Sequence, residues 1–147
     1  GPNETLLFIV DLLVLVPTNL EKPPVSVPGE AASELLIRDI TEGEGHEVES
    51  GDIVYVHYVG YSQSTNTQFD ASWDRGREQF IAFPIGQGDV IDGWDEGLLG
   101  MKVGGRRELV IPPSLAYGED GAGGGLIAPN ETLVFVVDLL GASPFLN

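Results

Sequence analysis

The stretch that most narrows the choice of fold runs from Phe83 to Gly97, an apolar strand end, a glycine-rich turn and the opening of one short helix. Gly86, Gly88 and Gly93 let the backbone bend where a side chain would obstruct it. Asp92 is expected to cap the turn that starts at Gly93, while Asp95 and Glu96 stand where a helix dipole favours negative charge. Trp94 and Leu98 are four residues apart and face the same way. The indole is therefore placed either at the floor of a pocket walled by Val90 and Ile91, or in the core, where tryptophan is usually buried.

Around this helix the chain reads as β-structure. Residues 34–40 alternate weakly, and Asp52 to Tyr61 carries a strong strand signal with Tyr58 inside it. Residues 62–68 read as a polar loop, 69–72 as ordered chain, 73–78 as a charged turn and 80–85 as a further strand. Gly104 and Gly105 turn the chain into a strand over 106–111, which Pro112 and Pro113 end because proline offers no ladder donor. A glycine-rich, flexible loop over 117–127 precedes Thr132 to Leu140, apolar almost throughout as in a strand central to its sheet. The expected fold is α+β: a twisted, five- to six-stranded, mostly antiparallel sheet with one short helix.

Charge and cysteine content remove several functions. Seven Lys and Arg stand against 23 Asp and Glu, a formal charge of −16 that repels phosphate backbones and anionic headgroups, so neither nucleic acid nor membrane is an expected partner. Without cysteine there are no disulfides, thiolate nucleophiles or Cys-based zinc sites, and His46 and His57 lack metal-ligand spacing. No metal or cofactor is expected, and His57, alternating within a strand, reads as structural. The compartment stays open.

Residues 2–13 repeat residues 129–140 with ten of twelve positions identical. An offset of 127 residues is about one domain plus a linker, so residues 1–16 read as the last strand of a preceding domain. Residues 17–32, with four prolines, read as an extended, semi-rigid linker, and residues 33–147 as the complete domain. An apolar strand without a sheet seeks one, so residues 5–16 are expected either to pair with a second molecule in a strand-swapped dimer or to pack on their own domain.

Five segments, Val56-His57-Tyr58-Val59-Gly60, Phe69-Asp70-Ala71-Ser72, Val90 to Gly97, Leu115-Ala116-Tyr117-Gly118 and Leu133-Val134-Phe135, resemble in order and spacing the motifs of the FKBP family of peptidyl-prolyl cis/trans isomerases. The resemblance covers about residues 34–140. It implies a sheet wrapped around the helix and an aromatic pocket with Trp94 as floor and Tyr58, Phe69, Val90, Ile91 and Phe135 as walls. It further implies that the Tyr117 hydroxyl and the Ile91 N–H donate to substrate carbonyls, that Asp70 is a pocket carboxylate bonded to Tyr58, and that Leu126 and Ile127 form the rim. Where the family has an aromatic residue this chain has Ile81, with Phe80 beside it, so either could complete the wall. The loop around 121–125 is about one residue longer and richer in glycine. Implied partners are proline-containing polypeptides, with macrolides of the FK506 and rapamycin type as candidate inhibitors. The implied activity is acceleration of X-Pro rotation without a cofactor; the alternative is a non-catalytic module that holds proline segments in the same cleft.

Overall fold

The computed structural model describes residue 14 and residues 16–144. The repeated strand at the N-terminus lies outside the described residues apart from Val14 and Val16, and with it most of the segment expected to swap. Six strands, β1 (Leu36–Thr41), β2 (Ile53–Ser62), β3 (Thr67–Ala71), β4 (Ile81–Pro84), β5 (Arg106–Ile111) and β6 (Leu133–Ser143), form one sheet, with a helix, α1 (Asp92–Gly97), between β4 and β5. Sheet order is β1-β5-β6-β2-β3, with β4 also paired to β2, and every pairing is antiparallel. The central position of β6 matches its apolar sequence: both faces of Leu133 to Leu139 are buried.

Alternation sorts the sheet into two faces. Val54, Val56 and Tyr58 of β2, Leu109 and Ile111 of β5, and Leu133, Phe135, Val137 and Leu139 of β6 join Trp94 and Leu98 in the core beneath α1. The helix lies close against β5. A β-carbon at Gly93 would come within 2.7 Å of Ile111 Cδ1, and one at Gly97 within 2.8 Å of Leu109 Cδ2. The buried Arg107 of β5 fastens the far end of the helix, donating to the carbonyls of Gly97 (2.9 Å) and Leu99 (3.0 Å) and gripping Asp39 of β1 (2.7 and 3.2 Å).

The opposite face of β2 and β6 carries Val59, Val134 and Val136, also buried. Residues 17–32 lie across it. They are extended, as their prolines require, but they are not a free spacer: Arg77 donates to the Pro17 carbonyl (2.7 Å), Arg106 to that of Glu21 (2.7 Å) and Gln63 to that of Pro28 (3.1 Å), while Thr132 Oγ1 accepts from Ala32 N–H (3.1 Å). Pro23 is buried and Val25 and Val27 half-buried, with Pro24 and Ser26 exposed between them, so the strap lays alternate residues onto the sheet. Burying valines that would otherwise face water is the physical reason.

Three local expectations differ. The loop over 62–68 gives way to β3 from Thr67, because the hairpin turns tightly with Asn66 in the left-handed region (φ 52°). The turn over 73–78 opens as a single 3₁₀ turn, Ser72–Arg75. Asp92 does not cap the helix but is its first residue; the Ile91 carbonyl accepts from Trp94 N–H (2.9 Å) and Asp95 N–H (3.2 Å).

Candidate active site

Where β2, β3 and β6 curl toward the N-terminus of α1 they leave a cleft of about 210 Å³. Trp94, buried, is its floor. Tyr58 stands edge-on to the indole with ring centroids 5.3 Å apart, and Phe135 likewise at 5.2 Å. Phe69 meets Phe135 edge-on at 5.5 Å. Such arrangements place positive ring edges against negative faces and hold the rings without a solvent gap. Gly60 makes room for them, since a β-carbon there would come within 2.6 Å of Phe69 Cζ and 2.7 Å of Phe135 Cε1.

Val90 and Ile91 line the adjoining wall, delivered by the turn after β4. That turn is pinned by Asp95, whose carboxylate accepts from the N–H groups of Gly86 (2.7 Å) and Gly88 (3.0 Å). Asp95 was expected only to suit the helix dipole; it also ties the turn to the helix. Ile91 N–H meets no protein acceptor among the described residues, and neither does the hydroxyl of Tyr117, a half-exposed residue on the opposite wall. Two donors thus border the ring-lined cleft with nothing among the described residues to satisfy them.

Asp70 joins the cleft through a closed network. Tyr58 Oη donates to Asp70, Arg75 Nη1 donates to the other carboxylate oxygen (2.9 Å), and Arg75 Nη2 donates to Tyr58 Oη (3.0 Å). Burial, reinforced by the bond to Asp70, pushes the Tyr58 phenol above its ordinary pKa, so it stays a proton donor through the physiological range. The bonds to Tyr58 and Asp70 raise Arg75 further above its already high value.

The structure therefore brings together Tyr58, Phe69, Asp70, Ile81, Val90, Ile91, Trp94, Tyr117 and Phe135. It does not bring in Phe80. Ile81 is paired with Val56, a core-face residue, so Ile81 faces the cleft while Phe80 turns the other way, edge-on to Tyr55 and His57 at 6.3 Å each. The β2–β4 register runs unbroken, without the bulge that would have reversed them. Leu126 and Ile127 also lie outside the cleft lining. Ala122 and Ile127 exchange backbone hydrogen bonds (3.0 Å each), which closes the loop and turns Ile127 into the core, leaving Leu126 mostly exposed. Two residues were missed: Asp89, which lines the cleft beside Val90, and Arg75, whose role depends on the 3₁₀ turn that follows β3. Position beside the glycine turn was the available signal for Asp89; for Arg75 there was none.

Comparison with known proteins accounts for this arrangement. Residues 44–140 match the family model described as FKBP-type peptidyl-prolyl cis-trans isomerase. The chain is 57% identical to an FK506-binding protein of Streptomyces anulatus over 83% of this chain and 98% of that one, and 50% identical to a probable FK506-binding protein of Corynebacterium glutamicum over 84% and 100%. Among solved structures it resembles AtFKBP13 (TM-score 0.68, 38% identity, 78% of this chain and 98% of that one) and FkpA from Escherichia coli (TM-score 0.67, 40% identity, 78% and 51%). With the ring-lined cleft carried on a sheet and single helix of the same design, the chain belongs to the FKBP-type peptidyl-prolyl cis-trans isomerase family.

Proposed function

We propose that the cleft takes an X-Pro segment with the proline ring on Trp94, the Tyr117 hydroxyl and the Ile91 N–H donating to substrate carbonyls, and the Asp70–Tyr58–Arg75 network facing the bond that turns. The observation that carries this is the pair of donors, without acceptors among the described residues, that border a cleft floored and walled by aromatic rings. The uncatalysed bond resists rotation by roughly 18–20 kcal/mol because amide resonance is lost in the twisted form. That form is less dipolar at the carbonyl, so a water-poor cleft favours it over the planar amide, which is differential binding of the transition state. No nucleophile is required. Polar anchors at either end of the segment hold the flanking amides while the bond between them rotates.

The test is isomerisation of an X-Pro tetrapeptide by the wild-type protein and by Asp70→Val and Tyr117→Phe. Each variant is expected to lose roughly five-fold or more in kcat/KM, the worth of about one hydrogen bond, with unchanged melting. Undiminished rates in both variants would refute the assigned roles, and peptide binding without any turnover would favour the holding module instead. The relatives' names support macrolides as competing ligands, and loss of peptide turnover on addition of FK506 would establish that.

For the N-terminal region we infer a tandem parent in which residues 1–16 close the preceding domain. In this chain, which does not include that preceding domain, Val14 lies 3.2 Å from the β-carbon position of Gly141, which favours packing of the segment's end on residues 33–147 over a swapped dimer. A monomer by light scattering, with or without residues 1–16, is the expected result.

A further inference from the structure

We propose that Asp89 makes the cleft selective for proline sites flanked by lysine or arginine. This deepens the reading of the cleft as a proline site and rests on it. Two carboxylates line the cleft, and one of them is committed: Asp70 to Tyr58 and Arg75. Asp89 lines the cleft directly, and among the described residues no cation or hydrogen-bond donor meets its carboxylate. None of the chain's lysines or arginines lines the cleft; Arg75, beside it, is held by Tyr58 and Asp70. The remaining walls are aromatic and aliphatic save for the Tyr58 and Tyr117 hydroxyls. Such walls polarise weakly, so they concentrate the field of a lone charge at the mouth, and the formal charge of −16 adds to it in sign.

Asp89 stands two residues before Ile91, the proposed anchor for a substrate carbonyl. A long cationic side chain one or two residues from the proline can reach it; a carboxylate there would meet like charge. For charges about 6 Å apart in a water-like medium the attraction is worth about three-fold in affinity and the repulsion about as much, an about ten-fold preference for Lys over Glu.

The experiment uses the full chain and X-Pro peptides differing only in Lys, Leu or Glu next to the proline, on either side. Isomerisation and tryptophan-fluorescence titration are followed for wild type, Asp89→Asn and the charge-matched control Glu30→Gln, which alters an exposed residue of the strap. The expected Lys-to-Glu ratio at low salt is about ten in wild type and Glu30→Gln, and about three or less in Asp89→Asn and at about 0.5 M salt. A wild-type ratio near one overturns the proposal. So does a ratio that survives in Asp89→Asn, since the field of the whole molecule would then be responsible. Failure of the isomerase reading looks different: the Leu peptide would bind without being turned over, and the affinity ratio would still judge Asp89.

Discussion

His57 illustrates how far one residue's environment fixes its chemistry. It is fully buried, stacked on Trp73 with centroids 3.9 Å apart. Nε2 lies 2.7 Å from the Arg77 carbonyl, which can only accept, so Nε2 carries the proton. Nδ1 then accepts from the Ser72 hydroxyl at 2.7 Å, and that oxygen in turn accepts the Tyr58 N–H at 2.8 Å. The neutral ring thus completes a chain that sets β2 against the 3₁₀ turn carrying Arg75. Burial pulls its pKa below the ordinary 6.5. Since the unfolded chain binds the proton more readily, this contribution to stability is complete above pH 6.5 and is lost as pH falls from there through the lower folded value. Urea midpoints measured across that window are expected to drop on acidification in the wild type, with a shallower slope in His57→Gln.

Among the elements, α1 is the one whose placement decides the site. Six residues cannot form a stable helix in water, so its stability comes from what it touches. Gly93 and Gly97 let it lie on Ile111 and Leu109, Arg107 holds its last carbonyls, and Asp95 binds the preceding turn. Gly93→Ala is expected to cost about 1–3 kcal/mol, since the new methyl meets a branched core side chain and the helix must retreat from β5. Retreat lifts Trp94 out of register with Tyr58 and Phe135, so peptide affinity is expected to fall in the variant even at temperatures where it remains folded. Chemical denaturation and fluorescence titration of the same sample separate the two effects. The helix and its tryptophan were legible because glycines, acidic residues and an i, i+4 apolar pair coincide; the bonds from Asp95 and Arg107 were not, since each spans residues seven or more apart that only folding brings together.

At the scale of the whole molecule, the sheet is covered on one side by α1 and on the other by residues 17–32. A chain beginning at Ser33 loses the strap and uncovers Val59, Val134 and Val136, and is expected to be roughly 2–4 kcal/mol less stable once the ordering cost of the strap is set against the apolar area it buries. Thermal unfolding of the two chains measures this, and the cleft on the opposite face predicts that peptide turnover below the transition is retained. The sequence by itself determined most of the strands, the helix and the ring-bearing segments that carry Tyr58, Phe69, Trp94 and Phe135 to one cleft, because alternation, glycine turns and aromatic spacing are local signals that survive without tertiary context. Only the tertiary structure decided that Ile81 and not Phe80 faces the cleft, that Ile127 turns inward, that Asp89 meets no partner among the described residues and that a proline-rich segment serves as a cover. Each of these depends on register or on contacts between distant segments, and a one-residue change of register exchanges the two faces of a strand.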